Sequence, residues 1–276
     1  MKPTEFHIDI DSESAFAAPL LAEETRLSLG QIKLAMKKGA VWLSDANGTN
    51  RIRRAKKNLP EGARLHFYFD PAVLNSEILQ PELIADEGSY SIWYKPRGVL
   101  SQGSKWGDHC TIYRWIETND PKQRPAMIVH RLDRAACGLI VIAHSKQLAQ
   151  KFSAMFQHRV IEKKYHAIVC GRFSDKGDEV ILSNAIEGRN ACSRVRQLSY
   201  CAEKNTSLLK IHIETGRKHQ IRRHLSESDF PILGDRLYGG GESIDLQLAA
   251  VSLKFDCPLT NVLKEYSLPE YLRPQI

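Results

Sequence analysis

One run limits the possible folds of this chain more than any other. Gly138-Leu139-Ile140-Val141-Ile142 is continuous, apolar and β-branched, and it reads as a buried strand. Three residues upstream ends Val129-His130-Arg131-Leu132-Asp133-Arg134, in which one acidic residue sits between two arginines. A lone carboxylate at the entry to a buried strand, with fixed cations beside it, can serve as a covalent nucleophile or as an acid/base group. The plainer reading of Asp133 is a helix cap or a structural ion pair with Arg131 or Arg134. Two stretches further along change that weighing.

The first is Glu162-Lys163-Lys164-Tyr165-His166-Ala167-Ile168-Val169, an alternating strand opened by a basic pair. On its own, Tyr165 is a half-buried strand tyrosine; near a reactive carboxylate it can stack on a base and hydrogen-bond through its hydroxyl. The second is Glu214-Thr215-Gly216-Arg217-Lys218-His219-Gln220-Ile221-Arg222-Arg223-His224. Here an apolar strand ends at a glycine turn and a very basic helix begins. Arg217 stands at the corner, where backbone donors and a guanidinium converge on an anion. It is either a phosphate contact or structural pair, or the fixed cation beside Asp133. Lys218, Arg222 and Arg223 form a basic stripe suited to an RNA backbone.

Length and charge are consistent with such a partner. The 276 residues make one large or two ordinary domains, and 39 Lys+Arg against 32 Asp+Glu give a formal charge of +7. The six cysteines include no C-x-x-C pair, which argues against a zinc ribbon or a thioredoxin-like site, and several sit among apolar residues as reduced core cysteines do. The Met1-Lys2-Pro3-Thr4-Glu5 start lacks an apolar signal core and no stretch reaches membrane-spanning length, so a cytoplasmic protein is expected.

The chain divides into a small domain at 1–75, a linker at 76–88 and a larger domain at 89–276. In the first, Leu20 to Lys38 has helical periodicity and Gly39 ends it. A strand at Ala40-Val41-Trp42-Leu43, a turn at 45–48 and a closing strand at 65–69 follow. Arg51, Arg53, Arg54, Lys56 and Lys57 form a dense basic cluster, and Lys33, Lys37 and Lys38 precede it on the helix. An isolated basic run is usually a solvated face; its recurrence on both sides of one turn points to a phosphate-tracking surface, with Lys33, Lys37, Arg51, Arg53 and Arg54 as its contacts. The segment resembles the small-ribosomal-protein-four-like RNA-binding domain in Leu29-Gly30-Gln31-Ile32-Lys33, Lys38-Gly39-Ala40-Val41 and Gly62-Ala63-Arg64-Leu65. It lacks that family's usual Arg-Leu-Asp opening and its Val-Asn-Gly.

In the larger domain, strands at 91–95, 138–143, 164–169 and 208–213 alternate irregularly with helices. Leu148, Phe152, Met155 and Phe156 mark Lys146 to His158 as amphipathic, a core stripe. Three motifs here resemble the RluA-type pseudouridine synthases: His130-Arg131-Leu132-Asp133 with Gly138-Leu139; Lys164-Tyr165 with Ala167, Val169 and Gly171; and Thr215-Gly216-Arg217 with His219-Gln220-Ile221-Arg222 and His224-Leu225. Lys95-Pro96 with Gly98, Gly234-Asp235 with Tyr238-Gly239, and Leu253 with Phe255 and Pro258 extend the match in family order. The chain departs from the pattern at Ala136-Cys137, where Thr-Ser is usual, and at Ala249 and Cys257, where the family has histidines.

The resemblance implies an α+β catalytic domain on a central, mostly antiparallel bent sheet. It also implies isomerisation of uridine in ribosomal or transfer RNA to pseudouridine by a monomer. The reaction changes no redox state and adds no external group, so no cofactor and no metal are implied. By resemblance Asp133 is the catalytic carboxylate, acting at the anomeric carbon as nucleophile or base, and Arg217 is the cation paired with it. Tyr165 stacks on the target uracil, and Arg131 enters the RNA to fill the gap left by the extruded base. Two rivals remain at this stage. A glycosidase needs a second carboxylate, which the motifs supply only as Glu162 or Glu214. A non-catalytic RNA-binding or ribosome-assembly protein accounts for the basic patches but not for the set Asp133, Tyr165 and Arg217.

Overall fold

In a computed structural model the apolar run becomes β8 (Cys137–Ala143), all seven of its residues buried. The structure describes residues 2–11, 16–174, 178–239, 241 and 244–276. Among these it separates into two compact units, Met1–Ile78 with Gln102–Trp115, and Leu79–Ser101 with Ile116–Ile276.

The first unit carries β1 (Thr4–Asp9), α1 (Ala17–Thr25), α2 (Leu29–Lys37), β2 (Val41–Asp45), β3 (Gly48–Arg51), β4 (Arg64–Phe69) and α3 (Pro71–Leu74). Its strands form a four-stranded antiparallel sheet in the order β1-β4-β2-β3. Leu21, Ile32, Met36, Val41, Leu65 and Phe67 fill its core. The single helix expected over 20–38 is two helices. Arg26 turns left-handed (φ 59°) and Ser28 opens α2 with a capping box, its hydroxyl accepting from Gln31 N while Gln31 returns to the Ser28 amide. Helical periodicity ran across the break because capping chemistry, not hydrophobic spacing, decides where a helix restarts.

The second unit carries β5 (Glu82–Asp86) and β6 (Tyr90–Lys95). α4 (Ile112–Asn119) begins within the Gln102–Trp115 segment and runs past the division at Ile116; after it come β7 (Met127–Ile128), β8, α5 (Lys146–Gln157), β9 (Glu162–Cys170), β10 (Glu179–Leu182), β11 (Ser193–Cys201), β12 (Thr206–Ile213), α6 (Gln220–Glu227), β13 (Leu248–Asp256) and β14 (Leu263–Ser267). Ten strands form one sheet. Its path is β10-β11-β12-β9-β13-β8-β6-β5, with β14 on β13 and β7 on β8. All pairings are antiparallel except β8 with β13. The architecture is α+β, as expected.

Two boundaries move. The expected linker at 76–88 contains β5, which pairs with β6, so the second unit starts at Leu79 and not at 89. Gln102–Trp115, read as part of the larger domain, packs with the first unit. There Asp108 receives Arg51 at 3.0 Å and Arg53 at 2.5 Å. Arg51 and Arg53 reach Asp108 from 57 and 55 residues away, and local patterning carries no trace of such a pairing.

β8 tolerates continuous apolar sequence because both its faces are covered. Leu139 and Val141 pack with Leu148 and Phe152 of α5 and with Phe255 of β13. Gly138 makes the parallel pairing possible. Its φ is +118°, and a Cβ there would stand 2.3 Å from the Ala250 carbonyl oxygen and 2.4 Å from its nitrogen.

Candidate active site

Asp133 lies on the loop between β7 and β8, and that loop is tied at both ends. On the upstream side the His130 ring stacks on Phe156 with centroids 4.1 Å apart, and its Nε2 accepts the Val141 amide at 3.0 Å. Leu132 is held through Ser101, whose hydroxyl accepts the Leu132 amide (3.0 Å) and donates to its carbonyl (2.8 Å). Downstream, Lys95 donates to the Ala136, Val99 and Pro96 carbonyls at 2.7, 2.8 and 3.0 Å. Lys95 is wholly buried, and desolvation pulls it down to about 7. Its three donors are thus spent on three carbonyls, and the Lys95-Pro96-x-Gly98 motif is a clamp on the Asp133 loop. Gly98 completes it by donating its amide to the Arg134 carbonyl at 2.8 Å.

The cation facing Asp133 is Arg222. Its guanidinium is 3.5 Å from Asp133 Oδ2 and grips Asp235 with two 2.7 Å hydrogen bonds. Arg222 is only 5% exposed, so it is not the RNA-backbone contact expected from the basic stripe. Arg217, expected in this role, is not within ion-pair distance of Asp133; its Nε donates to the Asn190 carbonyl at 3.0 Å. The reason is helical phase. α6 starts at Gln220, so Arg222 sits on its inward first turn, whereas Arg217 belongs to the preceding corner.

That corner is rigid. Gln220 Oε1 accepts from Thr215 Oγ1 (2.6 Å) and the Arg217 amide (3.0 Å), while its Nε2 donates to the Cys192 carbonyl (2.9 Å) and Ser193 Oγ (3.0 Å). His219 caps α6 in the left-handed region (φ 55°). Its Nδ1 lies 3.0 Å from the Tyr238 hydroxyl, which accepts from Arg223 Nε at 3.1 Å. Its Nε2 faces Asp133 Oδ1, 3.9 Å away. Burial holds His219 below its ordinary value, which favours the uncharged ring.

Tyr165, on β9, meets Asp133 across a cavity of about 120 Å³, whose apolar walls include Leu132, Ile213 and Leu248 and whose rim includes Arg131 and Arg217. Burial, reinforced by the Asp133 charge, drives the Tyr165 phenol well above its usual range. It is therefore a neutral ring with a hydroxyl proton, able to stack and donate.

Of the expected RNA contacts, Arg131 and Lys218 are exposed, and Arg223 is half-buried with Glu187 at 3.0 Å. In the first unit, Lys33, Lys37 and Arg54 are exposed. Arg51 and Arg53 are instead committed to Asp108, and Arg51 also lies 4.2 Å over the Trp42 ring. Sequence reasoning missed Lys95, His219, Gln220 and Asp235 as site residues. Each stood inside a quoted motif, but the contact that gives it a role is long-range.

Comparison with known proteins gives one consistent result. The family model described as RNA pseudouridylate synthase matches residues 89–227. An uncharacterized RNA pseudouridine synthase of Aquifex aeolicus is 30% identical over 266 residues, covering 88% of this chain and 81% of its own length. The dual-specificity RNA pseudouridine synthase RluA of Vibrio cholerae is 31% identical, covering 63% of this chain and 77% of its own. The tRNA pseudouridine synthase C of Vibrio parahaemolyticus is 29% identical over 65% of this chain and 86% of its own. Among solved structures, human RNA pseudouridylate synthase domain containing 1 superposes with a TM-score of 0.61 at 21% identity, over 72% of this chain and 87% of that one.

Proposed function

The chain belongs to the RNA pseudouridylate synthase family, with RluA-type relatives, and isomerises uridine in RNA to pseudouridine; from this premise we propose that Asp133 is its catalytic carboxylate, completed by Arg222 and Tyr165. The observation that carries the reading is convergence: one carboxylate on a doubly anchored loop faces a buried guanidinium on one side and a buried phenol on the other.

The roles follow from the chemistry. Asp133 acts at the anomeric carbon of the target ribose, as nucleophile or as base. Arg222, fixed by Asp235, stabilises the carboxylate without needing to move. Tyr165 stacks on the uracil and, as a neutral phenol, donates a hydrogen bond during its rotation. The apolar walls exclude water while the glycosidic bond is open. The target must leave its helix, at a cost of a few kcal/mol, and Arg131 at the rim fills the gap. Arg217 and Lys218 contact the flanking backbone.

The substrate is structured ribosomal or transfer RNA, a reading supported by the tRNA-specific and dual-specificity relatives. The first unit acts as a small-ribosomal-protein-four-like RNA-binding domain through Lys33, Lys37 and Arg54. The enzyme works as a cytoplasmic monomer. Among the described residues no helix is long and apolar enough to cross a membrane.

The test is carbodiimide mapping of pseudouridine, by primer extension, on total RNA from cells with and without the gene. A site that disappears, and returns with wild type but not with Asp133→Asn, is the expected result. Substantial modification by Asp133→Asn would overturn the assignment of Asp133.

A further inference from the structure

A second cavity opens on Asp133, and Tyr165 is not among the residues that line it. It encloses about 610 Å³, against about 120 Å³ for the chamber that faces the phenol, and the two share only Asp133, His219 and Arg222. Three arginines from separate segments line it: Arg97 after β6, Arg134 next to the catalytic carboxylate, and Arg236 next to Asp235. None of the three pairs with a carboxylate among the described residues, in contrast to Arg222 and Arg223.

The cavity is built, not incidental. Arg97 Nε donates to the Leu246 carbonyl at 2.8 Å, and Arg134 Nε reaches the Gly98 carbonyl at 3.3 Å, so both side chains are held across the opening. The Arg236 turn is fixed by Asp235, whose Oδ1 accepts the Leu237 and Tyr238 amides at 3.1 and 3.2 Å. It is also fixed by Gly234 (φ +77°), where a Cβ would fall 2.4 Å from the Asp245 carbonyl oxygen. Leu237 stands at the edge with 67% of its surface exposed, while Leu246 is buried in the wall. An exposed leucine beside three arginines offers an apolar face to a ring and guanidinium planes to phosphate and base.

Given the reading of Asp133, on which this inference rests, we propose that the larger cavity is a subsite for the nucleotide adjacent to the target uridine. Its phosphodiester lies against Arg97, Arg134 and Arg236, and its base against Leu237. Asp245, also in the lining, makes a singly charged diester with an attached base a better fit than a free phosphate monoester. Two consecutive nucleotides then leave the stack together. The substrate segment is a loop or other single-stranded element, and the identity of the neighbour contributes to target choice.

The experiment measures binding of the full chain to two fluorescein-labelled RNAs, an oligouridine decamer and a decamer in which alternate uridines are abasic. Wild type should bind the first about tenfold more tightly than the second, because every register of the abasic decamer loses one base contact. The Arg236→Ala, Leu237→Ala double variant alters exposed positions and should retain the wild-type melting temperature. It should bind the two RNAs within about twofold of each other, by loss of that single apolar base contact. Should that variant fold poorly, Leu237→Ser alone replaces it, with the same narrowing expected. Equal binding of both RNAs by wild type would overturn the proposal, as would a variant that keeps the full preference. So would displacement of the oligouridine by inorganic phosphate alone, which would mark a plain anion site. These outcomes are independent of the Asp133→Asn mapping, so failure of the subsite and failure of the catalytic assignment are distinguishable.

Discussion

Arg222 and Asp235 are joined by two hydrogen bonds of 2.7 Å, and this buried pair sets the cation beside Asp133. Removing one partner of a buried pair leaves a stranded charge, at a cost of about 3–5 kcal/mol. Asp235→Ala should therefore lower stability by about that amount and also lower single-turnover rates, because Arg222 loses the anchor that aims it. Arg222→Lys should slow single turnover far more than Arg217→Lys does, since only the former gives up a fork that spans two carboxylates. Urea denaturation and single-turnover pseudouridine formation read both effects; equal losses from the two lysine variants would return the role to Arg217.

His130 makes the fold acid-sensitive. Burial first, and then the nearby Lys163 charge, lowers it to about 3, and its Nε2 must stay unprotonated to accept the Val141 amide. The unfolded chain takes up that proton near pH 6.5, the folded chain only near 3. Between those values the unfolded state binds more protons, so the stabilisation is present above about 6.5 and is lost as pH falls. His166, lowered by burial to about 4, acts in the same direction. The urea midpoint should drop steadily from pH 7 to pH 5, and the drop should be shallower in His130→Gln.

Gly138→Ala should be severely destabilising. The added methyl meets Ala250 backbone atoms on β13, not the end of a flexible side chain, at a positive φ that alanine disfavours. A fall in melting temperature well beyond that of an ordinary surface substitution is expected. A near-neutral result would mean that β8 and β13 do not pair here.

The basic residues of the first unit should fall into two classes. Lys33, Lys37 and Arg54 are exposed, so replacing each with Gln should weaken RNA binding and flatten its salt dependence without altering the melting temperature. Arg51 and Arg53 hold Asp108, which is 2% exposed, so their removal should show first as lost stability. For the same reason, deleting residues 1–75 would strand Asp108. Filter binding across a salt series, alongside thermal melts of the full chain, separates the classes.

Much of this protein was legible in its sequence because the relevant signals are local. The strand at 138–143, the amphipathic helix over 146–158, Asp133 before its strand and Tyr165 after its basic pair are matters of short spacing, and all stand where that spacing put them. A family resemblance carried by short motifs is local in the same sense. Tertiary structure decided what depends on residues far apart in the chain. Arg222 and not Arg217 faces Asp133, because helix phase and the Asp235 anchor together choose which guanidinium turns inward. Lys95 became a clamp on a loop some forty residues downstream, and Gln102–Trp115 joined the first unit through Asp108. The sequence determined which groups are available for chemistry; long-range burial determined which cation partners which carboxylate, because desolvated charges must be paired and only the folded chain brings the partners together.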